Sequence, residues 1–128
     1  MKILLVDDKD TIRSAMKDIL LKLGFKDITE ADDGKDAWEK ITAGIVRKKP
    51  IKFDLIVSDM EMPKMTGLEL LRKVRNSSDF KNICFVMAST VTSKSIILET
   101  MNLGIQAYIL KPFDESSVKL KLIQAGVL

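Results

Sequence analysis

The amino-acid sequence predicts an α/β domain, doubly wound, with five parallel strands and helices on both faces of the sheet. Two observations predict it. Short runs rich in Ile, Leu, Val and Phe recur along the 128 residues, and the segments between them place apolar residues at helical spacing. Several of the runs are almost continuously apolar, as strands buried on both faces are, and parallel neighbours need crossovers that the intervening helices supply.

The first strand is read over Ile3–Val6 and runs straight into Asp7 and Asp8. Ile12, Ala15, Met16, Ile19, Leu20 and Leu23 then follow the i, i+3, i+4, i+7 rule of an amphipathic helix, with Gly24 at the C′ position that closes it. A weaker run at Asp27–Ala31 makes the second strand, and Ala37, Trp38, Ile41 and Ile45 outline the second helix. Phe53–Val57 is the third strand, Leu68, Leu71 and Val74 mark the third helix, and Ile83–Ala88 is the fourth strand. Ile97, Leu98 and Met101 mark the fourth helix, followed by a weaker strand at Gln106–Leu110. Two patterns compete in the last segment. Val118-Lys119-Leu120-Lys121-Leu122 alternates like a strand, but Asp114 as N-cap and Glu115 in the first turn favour a helix, which is the expectation.

With 46% hydrophobic residues and three prolines, the chain is expected to form one domain over residues 1–128. Its longest apolar runs match buried strands and fall far short of the roughly 20 residues that cross a bilayer. The opening apolar stretch is too short for a signal sequence, so a cytoplasmic location is expected. A single cysteine, Cys84, cannot form an intramolecular disulfide. The absence of histidine leaves nothing from which to build a zinc site or a histidine acid–base catalyst. The net charge is +3, and Arg47-Lys48-Lys49 is the one tight basic cluster. Without interleaved aromatics it reads as a solvated loop or helix end, and DNA is not an expected partner.

In open parallel sheets, ligands sit outside the carboxyl ends of the strands. There the first strand meets Asp7-Asp8, the third Asp59, the fourth Ser89 and the fifth Lys111-Pro112. Two bare carboxylates about 4 Å apart repel by roughly 4 kcal/mol at an effective dielectric near 20, so three together call for a cation. With oxygen ligands alone, the expected ion is Mg²⁺, which takes one or two carboxylates, keeps waters and binds phosphate oxygens. A carboxylate beside it can attack phosphorus, which makes Asp59 the candidate nucleophile.

With these residues in place, the sequence resembles the response-regulator receiver family, in particular its single-domain chemotaxis type. The resemblance spans nearly the whole chain. It rests on Ile3-Leu4-Leu5-Val6-Asp7-Asp8, on Phe53 to Pro63 with Gly67 following, and on Tyr108-Ile109-Leu110-Lys111-Pro112-Phe113. Ser89 also stands 30 residues after Asp59 and 22 before Lys111, as the family's switch hydroxyl should. The resemblance implies strand order 2-1-3-4-5. It implies Asp8 as a direct metal ligand, Asp7 as a ligand through water, Asp59 as ligand and phosphoacceptor, and Glu61 as a ligand through its backbone carbonyl. By the same resemblance Ser89 is the switch hydroxyl, Lys111 the phosphoryl contact and Tyr108 the aromatic switch. It further implies phosphorylation by a histidine kinase or a small donor such as acetyl phosphate. The output would go to an effector protein on the face of helix 4, strand 5 and helix 5, with the flagellar motor switch as one candidate. The apolar content of Val118 to Ile123 suits either such a surface or the core.

Thr90 stands where the family usually has alanine and is expected to restrict access to the site; Glu61 and Val91 hold the positions that tune phosphoryl lifetime. The Gly44 to Lys52 stretch is longer than usual. Other classes compete. A dehalogenase-type magnesium phosphatase shares a strand-end Asp, but Ile12 stands where its motif needs Thr or Val. A flavodoxin-like carrier would bring a phosphate against Asp7-Asp8. A phosphorelay intermediate and a phosphorylation-independent receiver scaffold are the nearer alternatives.

Overall fold

The computed structural model describes residues 1–46 and 52–128. Arg47-Lys48-Lys49 and the middle of the Gly44 to Lys52 stretch lie outside the described residues. The strands are β1 (Lys2–Val6), β2 (Asp27–Ala31), β3 (Leu55–Asp59), β4 (Cys84–Ser89) and β5 (Ala107–Leu110). The helices are α1 (Asp10–Lys22), α2 (Gly34–Val46), α3 (Gly67–Asn76), α4 (Lys94–Leu103) and α5 (Glu115–Gln124). All strand pairs are parallel, in the order β2-β1-β3-β4-β5, so the chain reverses its winding after β2 and leaves a crevice between the ends of β1 and β3.

Alternation along the strands builds two cores. On β1, Leu4 and Val6 face one layer with Ile56, Phe85 and Met87, packed under Ile41 of α2 and Leu70, Leu71 and Val74 of α3. Ile3 and Leu5 face the other with Leu55, Val57, Val86 and Ile109, under Met16 and Leu20 of α1 and Val118 and Leu122 of α5. Burial on both faces is why these strands are apolar at nearly every position.

Helix ends follow local chemistry. Gly24 adopts φ 100° just past the C-cap Leu23, a backbone conformation that costs a residue without Cβ little. Thr66 and Glu69 form a capping box on α3, and Asp114 and Ser117 form one on α5. The helical expectation for the last segment holds, and its strand-like alternation has a simple cause: Val118 and Leu122, one turn apart, are fully buried, while Leu120 between them is 55% exposed. Core and surface therefore share this stretch.

Strand boundaries shift toward the carboxyl ends. Expected over Phe53–Val57, β3 runs over Leu55–Asp59: the Asp54 carboxylate accepts from the Lys2 amide at 2.6 Å, Phe53 is buried ahead of the ladder, and Asp59 itself pairs with Ala88. Likewise β4 extends to Ser89.

Two arginines of α3 secure α4. Arg72 pairs with Glu99, and the Arg75 guanidinium donates to the carbonyls of Gly104, Lys81 and Ile83 and to the Gln106 side chain. At its other end α4 has Ser93 as N-cap, whose side chain caps no helix amide and meets only the Ser95 hydroxyl, at 3.0 Å. Among the described residues, no helix is long and apolar enough to cross a membrane.

Candidate functional site

Parallel strands that stop at adjacent positions bring their following residues together. Asp7, Asp8 and Asp59 each offer a carboxylate oxygen within 4.8 Å of the others. Asp7 and Asp59 are buried, at 4% and 7% exposure, while Asp8 is exposed. Lys111, just past β5, reaches across β3 to bridge the two buried acids, with Nζ 2.9 Å from Asp7 Oδ2 and 3.2 Å from Asp59 Oδ1. Its own backbone amide donates to the Ser89 carbonyl at 2.9 Å, which ties the fifth strand's end to the fourth's.

Backbone amides add a second donor to each buried carboxylate. Met60 N–H donates to Asp59 Oδ1 at 2.8 Å, and Lys9 N–H to Asp7 Oδ1 at 2.9 Å. Burial pushes the Asp59 carboxyl above its usual range; the Lys111 ammonium opposes this and the Asp7 charge adds to it. Three carboxylates against one ammonium leave a formal charge of −2, matched by one hard divalent cation with oxygen ligands. The donor set therefore fits Mg²⁺.

Two close backbone approaches shape the loop after β3. A Cβ on Gly67 would lie 2.0 Å from the Asp59 carbonyl oxygen, and one on Gly34 would lie 2.4 Å from the Met65 carbonyl oxygen. Glycine at Gly67 lets α3 start against the backbone of Asp59, and Lys64 turns the loop with φ 67°. Glu61, with its side chain exposed, joins Lys9, Ile12, Asp59, Thr90, Lys111 and Pro112 around an open cleft of about 300 Å³. Thr90, exposed, is among the residues that line this cleft.

Ser89 is buried, and its Oγ accepts from Val91 N–H at 3.0 Å. Tyr108 is half-buried, and its hydroxyl donates to the Val91 carbonyl at 2.8 Å. The structure thus gathers Asp7, Asp8, Asp59 and Lys111 into one constellation and joins Ser89 and Tyr108 through Val91 in the loop beside it. Sequence reasoning missed Arg13. Its guanidinium donates to the Asp7 carbonyl at 2.6 Å, and the only local signal was Asp10 one turn earlier.

A family model, the response regulator receiver domain, matches residues 3–123. The chain belongs to that family. This receiver is 39% identical to chemotaxis protein CheY1 of Helicobacter pylori, over 95% of its length and 94% of the relative's. It is 38% identical to chemotaxis protein CheY of Pseudomonas aeruginosa, over 95% and 93%. Among solved structures, the chemotaxis response regulator CheY4 of Vibrio cholerae superposes with TM-score 0.81 at 32% identity, covering 97% of each chain. A CheX–CheY–BeF3–Mg complex from Borrelia burgdorferi superposes with TM-score 0.86 at 25% identity, covering all of this chain and 90% of that one. The receiver is a chemotaxis-type signalling domain of a two-component system, a class that takes its phosphoryl group from a kinase.

Proposed function

We propose that the whole chain acts as one receiver unit that takes a phosphoryl group on Asp59 with Mg²⁺ and presents the result to a protein partner. The observation that carries this reading is the acidic trio at the strand ends, with Lys111 between its two buried members. In this reading Asp8 and Asp59 hold the metal directly, Asp7 through water and Glu61 through its backbone carbonyl. The bound ion would supply neutralising charge for the carboxylates and for the oxygens of the transferring group.

An Asp59 carboxylate oxygen attacks phosphorus in line, forming the acyl-phosphate P–O bond as the donor's P–N or P–O bond breaks and its electron pair leaves with the donor. A phosphohistidine of a sensor kinase and acetyl phosphate are the two donor classes. Lys111 contacts the incoming group as an ammonium donor, and the Ser89 hydroxyl has a proton to give it. Water later attacks the phosphorus, the acyl-phosphate P–O bond breaks, and inorganic phosphate leaves with the Asp59 carboxylate restored. Phosphorylation adds nearly two negative charges, which draw Ser89 and Lys111 inward and repack the Val91 loop against Tyr108.

The output face is α4, β5 and α5, where Leu98, Met101, Leu110, Leu120 and Ile123 are exposed. A flagellar motor switch protein is the effector class that suits a chemotaxis-type receiver, and the cytoplasm is where kinase and motor switch meet it. Intact mass after incubation with acetyl phosphate and Mg²⁺ tests the chemistry. One phosphoryl group gained by wild type alone, and neither by Asp59→Asn nor by a chelated sample, is the expected result. No gain from acetyl phosphate or from a cognate kinase would leave a phosphorylation-independent scaffold instead.

A further inference from the structure

We propose that Arg13 is a positioning residue for the acidic trio: it holds the Asp7 carbonyl, and with it the Asp7–Asp8 peptide, in the orientation that lets both carboxylates share one cation. This rests on the receiver reading above and deepens it.

Arg13 lies in the opening turns of α1, with its side chain only 12% exposed. Each nitrogen of its guanidinium is engaged. Nη1 donates to the Asp7 carbonyl at 2.6 Å and lies 3.6 Å from Asp32 Oδ1; Nε donates to Glu30 Oε1 at 3.1 Å, and Nη2 to Asp10 Oδ1 at 2.8 Å. Lys17 holds the other Glu30 oxygen at 3.2 Å, which fixes the acid that anchors the fork. One planar group thus joins α1, the end of β1, β2 and the loop after β2. A lysine could not span these directions, because its ammonium lacks the rigid fork.

Asp7 lies one residue past β1, and the Arg13 guanidinium is the partner its carbonyl finds. That carbonyl and the amide of Asp8 form one rigid plane, so holding the oxygen sets ψ of Asp7 and φ of Asp8 together. The direction of the Asp8 side chain is set with them. Asp8 is exposed, so core packing does not orient it. The Asp7 carboxylate, by contrast, is held from the other side by Lys9 N–H and Lys111.

Charge alone makes the opposite prediction, and this makes the inference testable. A guanidinium beside the trio repels a divalent cation, so its removal would tighten Mg²⁺ binding if Coulomb repulsion were its whole effect. Positioning predicts weaker binding.

The measurement is Mg²⁺ affinity by calorimetry, at fixed ionic strength, for wild type, Arg13→Gln, Arg13→Lys and Glu30→Gln. Arg13→Gln is expected to bind about tenfold more weakly, Arg13→Lys also more weakly although it keeps the charge, and Glu30→Gln about two- to threefold more weakly. Amide exchange in the metal-free protein supplies a second readout. Residues 7–9 should exchange faster in Arg13→Gln while the β3 and β4 amides keep their protection, whereas a purely stabilising role would raise exchange throughout. Equal or tighter Mg²⁺ binding by Arg13→Gln overturns the proposal. If that variant does not fold, unchanged affinity in Arg13→Lys, which keeps the charge, overturns it. Failure of wild type itself to bind Mg²⁺ would overturn the receiver reading rather than the role of Arg13.

Discussion

Replacing Lys111 with methionine keeps the aliphatic stem and removes the cation that, among the described residues, bridges the buried acids. Its ammonium lies 2.9 Å from Asp7 and 3.2 Å from Asp59, with all three side chains 10% exposed or less. Each contact is worth about 5 kcal/mol of gross attraction at an effective dielectric near 20. Desolvation of the ammonium offsets much of that, and truncating one partner of a buried pair costs about 3–5 kcal/mol. Proton uptake by Asp59, whose carboxyl burial already pushes up, limits the damage. A loss of about 3 kcal/mol is therefore expected in metal-free buffer. In urea unfolding followed by Trp38 fluorescence, Mg²⁺ should restore more stability to Lys111→Met than it adds to wild type, because it enters a site without the Lys111 ammonium that repels it. A metal-free loss below about 1 kcal/mol, or an equal response of both proteins to Mg²⁺, would refute the view of Lys111 as the trio's resident counter-ion.

The same contacts predict other outcomes. Since Asp59 holds its proton more tightly when folded than unfolded, its contribution to metal-free stability is present below its ordinary pKa of 3.8 and lost as pH rises through the raised folded value. Urea midpoints from pH 4 to 7 should show this downward slope in wild type and a shallower one in Asp59→Asn. Arg75→Ala should lose about 2–4 kcal/mol by leaving the Gly104 and Ile83 carbonyls without their charged donor, with Mg²⁺ affinity unchanged. Arg75→Lys should recover less than half of that loss in the same unfolding assay. Gly67→Ala must push a methyl group against the Asp59 carbonyl, so about 1–3 kcal/mol of stability and part of the Mg²⁺ affinity should go together, read by unfolding and calorimetry.

The residues legible in the sequence share a physical reason. Strands buried on both faces cannot hide their composition, so β1, β3 and β4 stand out, and the residues at their carboxyl ends have to meet at one edge of the sheet. Asp7, Asp8, Asp59, Ser89 and Lys111 are found this way. Arg13 and Arg75 are invisible because an arginine on an amphipathic helix looks the same whether solvent or distant carbonyls receive its donors. Arg75 finds Gly104, 29 residues away, and Arg13 finds Glu30 across a strand. The boundary of β3 moves for a related reason: hydrophobicity marks burial, and Phe53 is buried without joining the ladder, while polar Ser58 and Asp59 join it. In α5, local capping by Asp114 outweighs alternation, since only Val118 and Leu122 of the apolar set need the core.

The fastening of α4 makes the helix a lever with a fulcrum. Arg75 grips the carbonyl of Gly104 at its far end and Arg72 grips Glu99 midway, whereas at the near end Ser93 bonds only its neighbour Ser95, within the same helix end. That end adjoins the loop that carries Val91, just past Ser89 at the end of β4. A ten-residue helix is about 15 Å long, so a 1 Å pull at the loose end turns it by roughly 4° about the gripped end. Displacement is thus largest at Ser93 and smallest at Gly104. A partner seated on the near half of α4 would meet most of that displacement, and one seated on the far half would meet the same small rotation with almost no displacement.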